Sequence, residues 1–356
     1  MARQNLRNVI QAISIEATAL GEYLDGDEGA KFRNFYGNAS SPILPARQKV
    51  ADNMVGNGKP YPKKGKPYRF DPRNIPYSGA LHSTMGVRII RMFQGGTIGE
   101  TTNTLPETID SLIEMKDAGT VPMMANILRE LGGEELLHGD VFVQSIEVSQ
   151  QGDSEPQLTA TLSNSGHLAK ISDTDIDVAD IESALAYLKC HGAKTKLTFS
   201  DGVDSYDLAS EGRQLDVSLV ANQNVIVEGL AGDPFYDVTN ECLGAYAENV
   251  YIDVQDAMIR AKIYMDETFA EFDAWLADRT LTSVKLLFVS CEIIGATTHR
   301  FEIEFQFPFA EFNITPDQQG NFSAYSMEIK AIEGDNTTGS LMKVRVRSED
   351  ALDETV

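Results

Sequence analysis

The amino-acid sequence predicts a mainly β protein with an amphipathic helix packed against a sheet. Near the C-terminus, Phe301, Ile303 and Phe305 alternate with Glu302 and Glu304, which is the period of a strand with one dry face. Other alternating runs occur through the second half of the chain, separated by Gly, Asp and Asn. The 356 residues are 42% hydrophobic and 23% charged, as in ordinary globular proteins. The chain can therefore bury a sizeable core, in one large β domain or two smaller domains.

Residues 1–79 are predicted to form an extended, irregular arm. Turn-forming residues cluster through this part of the chain. Residues 59–73 combine four prolines with a run of basic side chains, including Lys63, Lys64 and Lys66. A segment of this composition has little to bury and is expected to be weakly structured alone.

Two short helices are predicted after the arm. Met85, Ile89 and either Met92 or Phe93 recur at helical spacing, and Gly95 and Gly96 supply a stop. Residues 123–131 show the same arrangement on a smaller scale. Their apolar face comprises Met124, Ile127, Leu128 and Leu131, followed by Gly132 and Gly133.

The remainder of the chain is predicted to be a series of strands interrupted by one helix. The predicted strands cover residues 141–148, 157–163, 194–199, 214–220, 224–228 and 249–265, the last with a bend near Asp256. In residues 267–278, Phe269, Phe272, Trp275 and Leu276 share one helical face, with Asp266 as a possible N-cap.

Three strands are predicted to end the fold. The first contains Phe301 to Phe309. The second is centred on Met327 and the third on Val344, and turns are predicted at residues 317–320 and 333–336. Residues 348–356 are expected to form an acidic, frayed tail.

Charge is unevenly distributed along the sequence. Residues 1–100 hold 14 Lys or Arg against 8 Asp or Glu, whereas residues 101–356 hold 16 against 45, which together give the net charge of −23. An acidic body of this kind argues against direct binding of nucleic acid, because affinity for DNA comes largely from cations that neutralise phosphates. Solubility is the simplest explanation, but oppositely charged parts of one chain also suit head-to-tail association.

The sequence contains no recognisable catalytic, cofactor or metal motif. It has neither GxGxxG nor GxxxxGK[ST], and it lacks HExxH and GxSxG. The five histidines are scattered, and Asp173, Asp175 and Asp177 depart from an EF-hand loop because Val178 stands where Gly is required. Cys190, Cys242 and Cys291 are expected to be buried reduced thiols. These observations predict a protein that is not an enzyme and carries no cofactor.

From residue 121 onward, the order of elements resembles the major tail tube proteins of long-tailed bacteriophages of the siphophage type. A short helix ending in Gly-Gly precedes a strand hairpin reading GDVFVQSIEVSQQGDSEPQLTATLSNSG, and QLDVSLVANQNVIVEGLAGDP is similar to that family's middle strands. The last third carries the strongest resemblance: the helix ETFAEFDAWLAD, the strands KLLFVSCEII and RFEIEFQFPFAEFNITPD, and the terminal segments AYSMEIKAIEGDN and MKVRVRS. The resemblance covers about two thirds of the chain.

The resemblance implies a β-sandwich or half-barrel with a flanking α-helix and long loops. In that family the inner sheets of neighbouring subunits join around a pore, hexameric rings stack, and DNA passes through without specific binding. The implied organisation is an N-terminal arm and insertion with short helices at 1–120, the tail tube domain at 121–347, and a disordered acidic tail at 348–356. The implied location is the virion tail, assembled in the host cytoplasm.

The same resemblance implies two sets of functional residues. The candidates for contact between rings are Lys59, Lys63, Lys64, Lys66 and Arg69. The candidates for the lumen are Glu147, Glu302 and Glu304, since carboxylates repel DNA phosphates; the alternative is that these carboxylates face solvent outside the tube. The implied partners are other copies of the chain and the tape measure, terminator and baseplate proteins, with no membrane partner.

Two other functions fit the sequence. Another virion β protein, such as a tail terminator, baseplate or decoration subunit, would share the acidity and the strand content. A carbohydrate-binding or carbohydrate-processing β-sandwich would need exposed aromatic side chains or convergent carboxylates in a cleft, and the sequence shows neither.

Overall fold

The computed structural model describes residues 10–14, 19–20, 32–34, 47–49, 67–70, 74–104, 107–131, 134–165, 168–171, 188–209, 215–229, 247–264, 269–294, 298–319, 322–333 and 340–348. Across these ranges the chain is mainly β, with two α-helices beside two large sheets. The predicted fold class, a β-sandwich with a flanking helix, is confirmed.

The first sheet contains eleven strands. Numbered in chain order over the whole protein, these are β1 (Ile10–Ser14), β2 (Phe32–Asn34), β5 (Ile75–Ala80), β8 (Ala125–Leu131), β9 (Glu134–Gln150), β10 (Gln157–Ser163), β11 (Leu168–Ile171), β14 (Leu215–Glu228), β15 (Asn249–Tyr264), β18 (Ala310–Gln319) and β19 (Phe322–Ala331). Five of them lie in the order β18-β19-β15-β14-β9. The long strand β9 then continues the sheet in two directions, through β10 to β5 and through β8 to β1 and β2.

The second sheet contains seven strands in the order β13-β12-β16-β17-β20-β7-β6. These are β6 (Gly95–Thr104), β7 (Glu107–Met115), β12 (Lys196–Ser200), β13 (Ser205–Ala209), β16 (Ser283–Ile293), β17 (Arg300–Phe307) and β20 (Lys343–Ser348). A separate pair is formed by β3 (Arg47–Lys49) and β4 (Pro67–Phe70).

The core lies between the two large sheets and follows from strand alternation. Phe301, Ile303 and Phe305 of β17 are each 0% exposed, and they share one apolar cluster with Leu219 and Ile259 of the first sheet. Burying one such side chain contributes about 2 kcal/mol. The alternating aromatic pattern in the sequence therefore identified the inner face of the second sheet.

Both helices contribute side chains to this core. Helix α1 (Met85–Gln94) ends at Gly95, whose φ of 64° is the left-handed conformation of a glycine cap, as the sequence predicted. Helix α2 (Phe269–Ala277) places Phe272 against Phe199, with ring centroids 5.3 Å apart, and Trp275 packs against the core. The predicted apolar face of α2 is confirmed at these two residues.

The helix predicted at residues 123–131 is wrong, because residues 125–131 form strand β8. The strand lies between β1 and β9. Met124, Ala125, Asn126, Ile127 and Leu128 are all buried, so both faces of the segment are covered. A strand covered on both sides has a continuous apolar run, and part of that run matches helical spacing by coincidence.

Several predicted boundaries also differ from the structure. The strands predicted at 214–220 and 224–228 form one strand, β14. The irregularity in β15 falls between Ile252 and Val254, opposite Asn224 and Val225 and close to the bend predicted near Asp256. Strand β18 continues to Gln319, beyond the start of the turn predicted at 317–320.

Residues 75–115 contribute to both layers of the sandwich. Strand β5 extends the first sheet through β10, and β7 pairs with the last strand, β20, in the second sheet. Buried residues of α1, including Ile89 and Phe93, belong to the shared apolar cluster. This part of the chain is thus packed with the strands that follow residue 121.

Candidate assembly surfaces

The outer face of the second sheet carries a network of ion pairs. Register places Glu302 opposite Arg347 and Glu304 opposite Arg345, while Asp110 of β7 lies opposite Arg347 on the other side. These outward side chains follow from the same alternation that points Phe301 and Ile303 inward. The last strand, β20, is therefore held on both sides by charged partners.

The distances show that the two predicted lumen carboxylates of this face are neutralised. Arg347 Nη1 donates to Glu302 Oε1 at 3.2 Å, and its Nε donates to Asp110 Oδ1 at 2.9 Å. Arg345 Nε lies 3.5 Å from Glu304 Oε1. Burial alone would lower the pKa of Arg347, but its hydrogen bond to Asp110 and the charge of Glu302 raise that pKa.

The outer face of the first sheet is polar as well, and it contains Glu147. This side chain is exposed on β9 and borders an open groove of about 650 Å³. The groove crosses five strands, β9, β14, β15, β18 and β19. Its charged lining residues are Glu147, Asp216, Arg260, Lys262 and Glu328.

Both cations of this groove have carboxylate partners. Arg260 Nε lies 3.3 Å from Glu328 Oε1, and Lys262 Nζ donates to Asp317 Oδ2 at 2.6 Å. The hydrogen bond to Asp317 raises the pKa of Lys262. The floor of the groove therefore presents paired charges, hydroxyls and amides.

The three predicted lumen residues lie on opposite outer faces of the sandwich. Glu147 belongs to the first sheet, whereas Glu302 and Glu304 belong to the second. The two inner faces meet in the core, so one subunit cannot present both sets to the same channel through its sheet faces. Sequence alternation showed that each residue faces outward, but it carried no information about which sheet each strand would join.

Among the described strands, four strands of the first sheet have a pairing partner on one side only: β2, β5, β11 and β18. Strand β18 pairs with β19, and β5 pairs with β10. They terminate the path β18-β19-β15-β14-β9-β10-β5 at its two ends. Unpaired backbone groups of edge strands are ready to pair with another chain.

The predicted ring-contact residues are mostly outside the described ranges. Lys59, Lys63, Lys64 and Lys66 lie there, and Arg69 belongs to strand β4, which pairs with β3. Asp173, Asp175 and Asp177, the N-cap candidate Asp266 and the tail after Ser348 also lie outside them.

Five large hydrophobic side chains of the described residues are exposed, namely Val121, Val203, Val254, Ile293 and Phe309. The segments that carry Val203 and Phe309 are joined through Thr282: Thr282 N donates to Ser200 O, and Ala310 N donates to Thr282 O, both at 2.9 Å.

Val203 is presented by a turn that is fully hydrogen-bonded. Asp201 Oδ1 accepts hydrogen bonds from the backbone N–H groups of Asp204 at 2.7 Å and Val203 at 2.8 Å, which lower the pKa of Asp201. Arg279 donates to Asp201 Oδ2 at 2.9 Å and to Asp204 Oδ2 at 2.8 Å. Sequence reasoning missed this clamp, because Arg279 lies far along the chain from the turn.

The described residues contain no group of three or more His, Cys, Asp or Glu side chains that could hold a metal ion. Cys190 is buried, as expected, and burial raises the pKa of its thiol. Cys291 is exposed, contrary to the prediction, because it lies near the end of β16 where the strand leaves the core. Among the residues that the structure describes, no helix is long and apolar enough to cross a membrane.

Comparison with known proteins identifies no relative. No protein-family model matches the chain, and no curated protein matches it.

Proposed function

We propose that the chain is a structural subunit of a bacteriophage tail tube, and that its copies form rings that stack into a channel for DNA. The observation that carries the proposal is the first sheet. It combines long strands, a polar outer face and unpaired edges at β18 and β5. Such a sheet can continue into the sheet of a neighbouring copy, and closure into a ring would pair both edges.

The outer face of the first sheet is the better candidate for the channel wall. Its groove holds the carboxylates of Glu147 and Asp216 beside the ion pairs Arg260–Glu328 and Lys262–Asp317. Cations that already have a carboxylate partner bind phosphate weakly, and an exposed carboxylate such as Glu147 repels it. Under this proposal Glu147 lines the channel, whereas Glu302 and Glu304 lie on the far side of the subunit.

Carbohydrate binding is less well supported by the same groove. Its lining residues include no aromatic side chain on which a sugar ring could stack. The fold does not distinguish a tail tube subunit from a terminator, baseplate or decoration protein, which makes assembly geometry the deciding observation.

The test is negative-stain electron microscopy of the purified, concentrated protein. We expect hollow rings or stacked tubes with a pore at least about 20 Å wide, enough for a DNA duplex. Solid, monomeric particles at every concentration would contradict self-assembly. Closed caps or rings that never stack would favour the terminator or baseplate alternative.

A further inference from the structure

The two end strands of the long path through the first sheet run in the same direction. The path β18-β19-β15-β14-β9-β10-β5 contains seven strands, and each neighbouring pair along it is antiparallel. Because the direction reverses at every step, β18 and β5 are parallel to each other. In a ring built by rotation, neighbouring copies have the same orientation, so β5 of one copy arrives parallel to β18 of the next.

On β18, alternate residues direct their backbone polar groups away from β19. Ala310 N donates to Thr282 O at 2.9 Å instead of to β19. Alternation along the strand then turns the N–H and C=O groups of Phe312 and Ile314 outward as well. In the described part of the chain no backbone hydrogen bond reaches these groups. Pro316, the next outward residue, has no N–H.

Strand β5 has the same arrangement on the side away from β10. Leu81 N donates to Pro156 O at 2.9 Å, so Leu81 faces the β10 side and the alternate residues Ser78 and Ala80 face away. Pro76 also faces away and lacks an N–H. Each of the two edges therefore offers two outward N–H donors beside a proline, and proline is tolerated at such outward positions of edge strands.

Side-chain burial shows which pairing of these edges keeps the core continuous. Phe312 and Ile314 are half-buried and pack against the core, to which the buried Tyr77 of β5 also belongs. In a parallel pair, a residue whose polar groups face the partner lies opposite one whose polar groups face away. Phe312 then lies opposite Tyr77, with both side chains on the core face. An antiparallel pair would instead place Phe312 opposite Ser78 or Ala80, whose side chains point to the outer face.

We propose that β18 of one copy pairs in parallel with β5 of a second copy, with Phe312 opposite Tyr77 and Ile314 opposite Gly79. This inference rests on the proposed function, because it names the strands that join neighbouring copies in a ring. The pairing places all of β5 beside the first six residues of β18. It also extends the cover over the two half-buried side chains at the β18 edge.

This register uses all four outward donors. Phe312 N donates to Pro76 O, and Ser78 N donates to Phe312 O. Ile314 N donates to Ser78 O, and Ala80 N donates to Ile314 O. The two prolines lie at the ends of the paired stretch, where no donor is required.

Shifting the two strands by two residues makes the pairing worse in either direction. One shift carries Ile75 beyond the start of β18. The other brings Pro316 opposite Gly79, inside the paired stretch, and Ser78 O then has no donor. The prolines therefore favour one register over its neighbours.

The test is a disulfide cross-link between two variants of the full-length chain. The register places Asn313 opposite Ser78 on the outer face. In a background with Cys242→Ser and Cys291→Ser, one chain carries Asn313→Cys and the other carries Ser78→Cys. Mixed and oxidised, they should give at least about tenfold more covalent dimer than a matched pair with Ala80→Cys in place of Ser78→Cys. The offset of two residues in that control separates the Cα atoms by more than about 7 Å, beyond the reach of a disulfide.

Removing one donor provides the second measurement. Ala80→Pro in the Ser78→Cys chain should lower the dimer yield about fivefold, the effect of one lost hydrogen bond. Its control is Ser205→Pro in β13, an edge strand of the second sheet, which should leave the yield unchanged. An equal loss from both substitutions would show that the cross-link does not depend on the β5 edge and would overturn the inference.

Two other results would also overturn it. Equal yields from the Ser78→Cys and Ala80→Cys partners would exclude the register. An equal yield from the Asn313→Cys chain alone would show that β18 pairs with its own copy around a two-fold axis. Rings seen by microscopy without the cross-link would refute this strand pairing but leave the proposed function standing, whereas cross-linked chains that never close into rings would do the reverse.

Discussion

At the residue scale, His82 makes stability depend on pH. Its side chain is 1% exposed, and its Nδ1 accepts a hydrogen bond from Thr84 N at 3.3 Å, so the ring is held neutral. Burial and the charge of Lys189 lower its pKa from 6.5 to about 4. Between these values the unfolded chain binds a proton that the folded chain excludes. Stability is therefore complete above the unfolded pKa and falls as the pH drops towards the folded pKa.

We predict that protonation of His82 lowers the free energy of unfolding of the wild-type protein by about 3 kcal/mol as the pH falls from about 7 to about 4. His82→Asn keeps an acceptor near Thr84 but cannot be protonated, so it should remove this part of the pH dependence. Urea unfolding of both proteins across the range gives the comparison. Parallel stability curves would show that His82 does not titrate as described.

Arg347 provides a second residue-scale prediction. Its side chain is 21% exposed and joins Asp110 to Glu302, whose side chains are 22% and 18% exposed. Arg347→Ala leaves both carboxylates half-buried with one fewer cation, and it should cost about 2 kcal/mol in urea unfolding. The control is Arg260→Ala on the first sheet, where the side chain is 61% exposed and the loss should stay below about 1 kcal/mol. Equal losses at the two positions would mean that the network around β20 adds no stability.

At the element scale, alanine substitutions at two glycines of β6 distinguish the effect of close packing between strands from the effect of strand propensity. A Cβ at Gly96 would lie 2.1 Å from Glu114 O, a backbone atom of the paired strand β7, whereas one at Gly99 would meet nothing within 4 Å. Gly96→Ala should therefore force β6 and β7 apart and cost about 2 kcal/mol or more. Gly99→Ala should be neutral or stabilising by about 0.5 kcal/mol. Thermal unfolding of the pair measures the difference, and similar melting temperatures would disprove the close approach.

At the scale of the whole molecule, charge segregation should control association. Reversing Lys63, Lys64 and Lys66 to Glu changes the charge of the basic segment at residues 59–73 by about six units. Under the proposed function this change weakens ring stacking, because the acidic body of the next ring would repel it. Sedimentation of assembled material gives the tube yield. A yield equal to that of the wild-type protein would rule out a role for these lysines in stacking.

The acidic composition also predicts a salt dependence for assembly. Copies with a net charge of −23 repel one another at long range, whereas contacts between the basic segment at residues 59–73 and the acidic remainder of another copy attract at short range. Moderate salt should therefore promote ring formation, and high salt should separate stacked rings. Light scattering across a salt series measures both steps, and assembly that is indifferent to salt would contradict the electrostatic account.

The sequence by itself determined the β class, the strands with one dry face, helix α1 with its glycine stop and the apolar face of α2. Each of these depends on neighbours within a few residues, so local periodicity suffices. Phe301, Phe305 and Phe272 were placed correctly for this reason. The same reasoning failed at β8, where apolar residues on both faces matched helical spacing and only pairing with β1 and β9 favoured a strand.

Only the tertiary structure decided which sheet each strand joins, and hence that Glu147 and Glu302 lie on opposite faces. It also joined the backbone of Gly119 and Thr120 to Ile252 and placed Arg279 on the turn at Asp201, although these segments are far apart in the sequence. Alternation fixes the direction of a side chain relative to its own strand. It carries no information about the strand that will pair alongside, because that choice depends on the register and packing of the whole core.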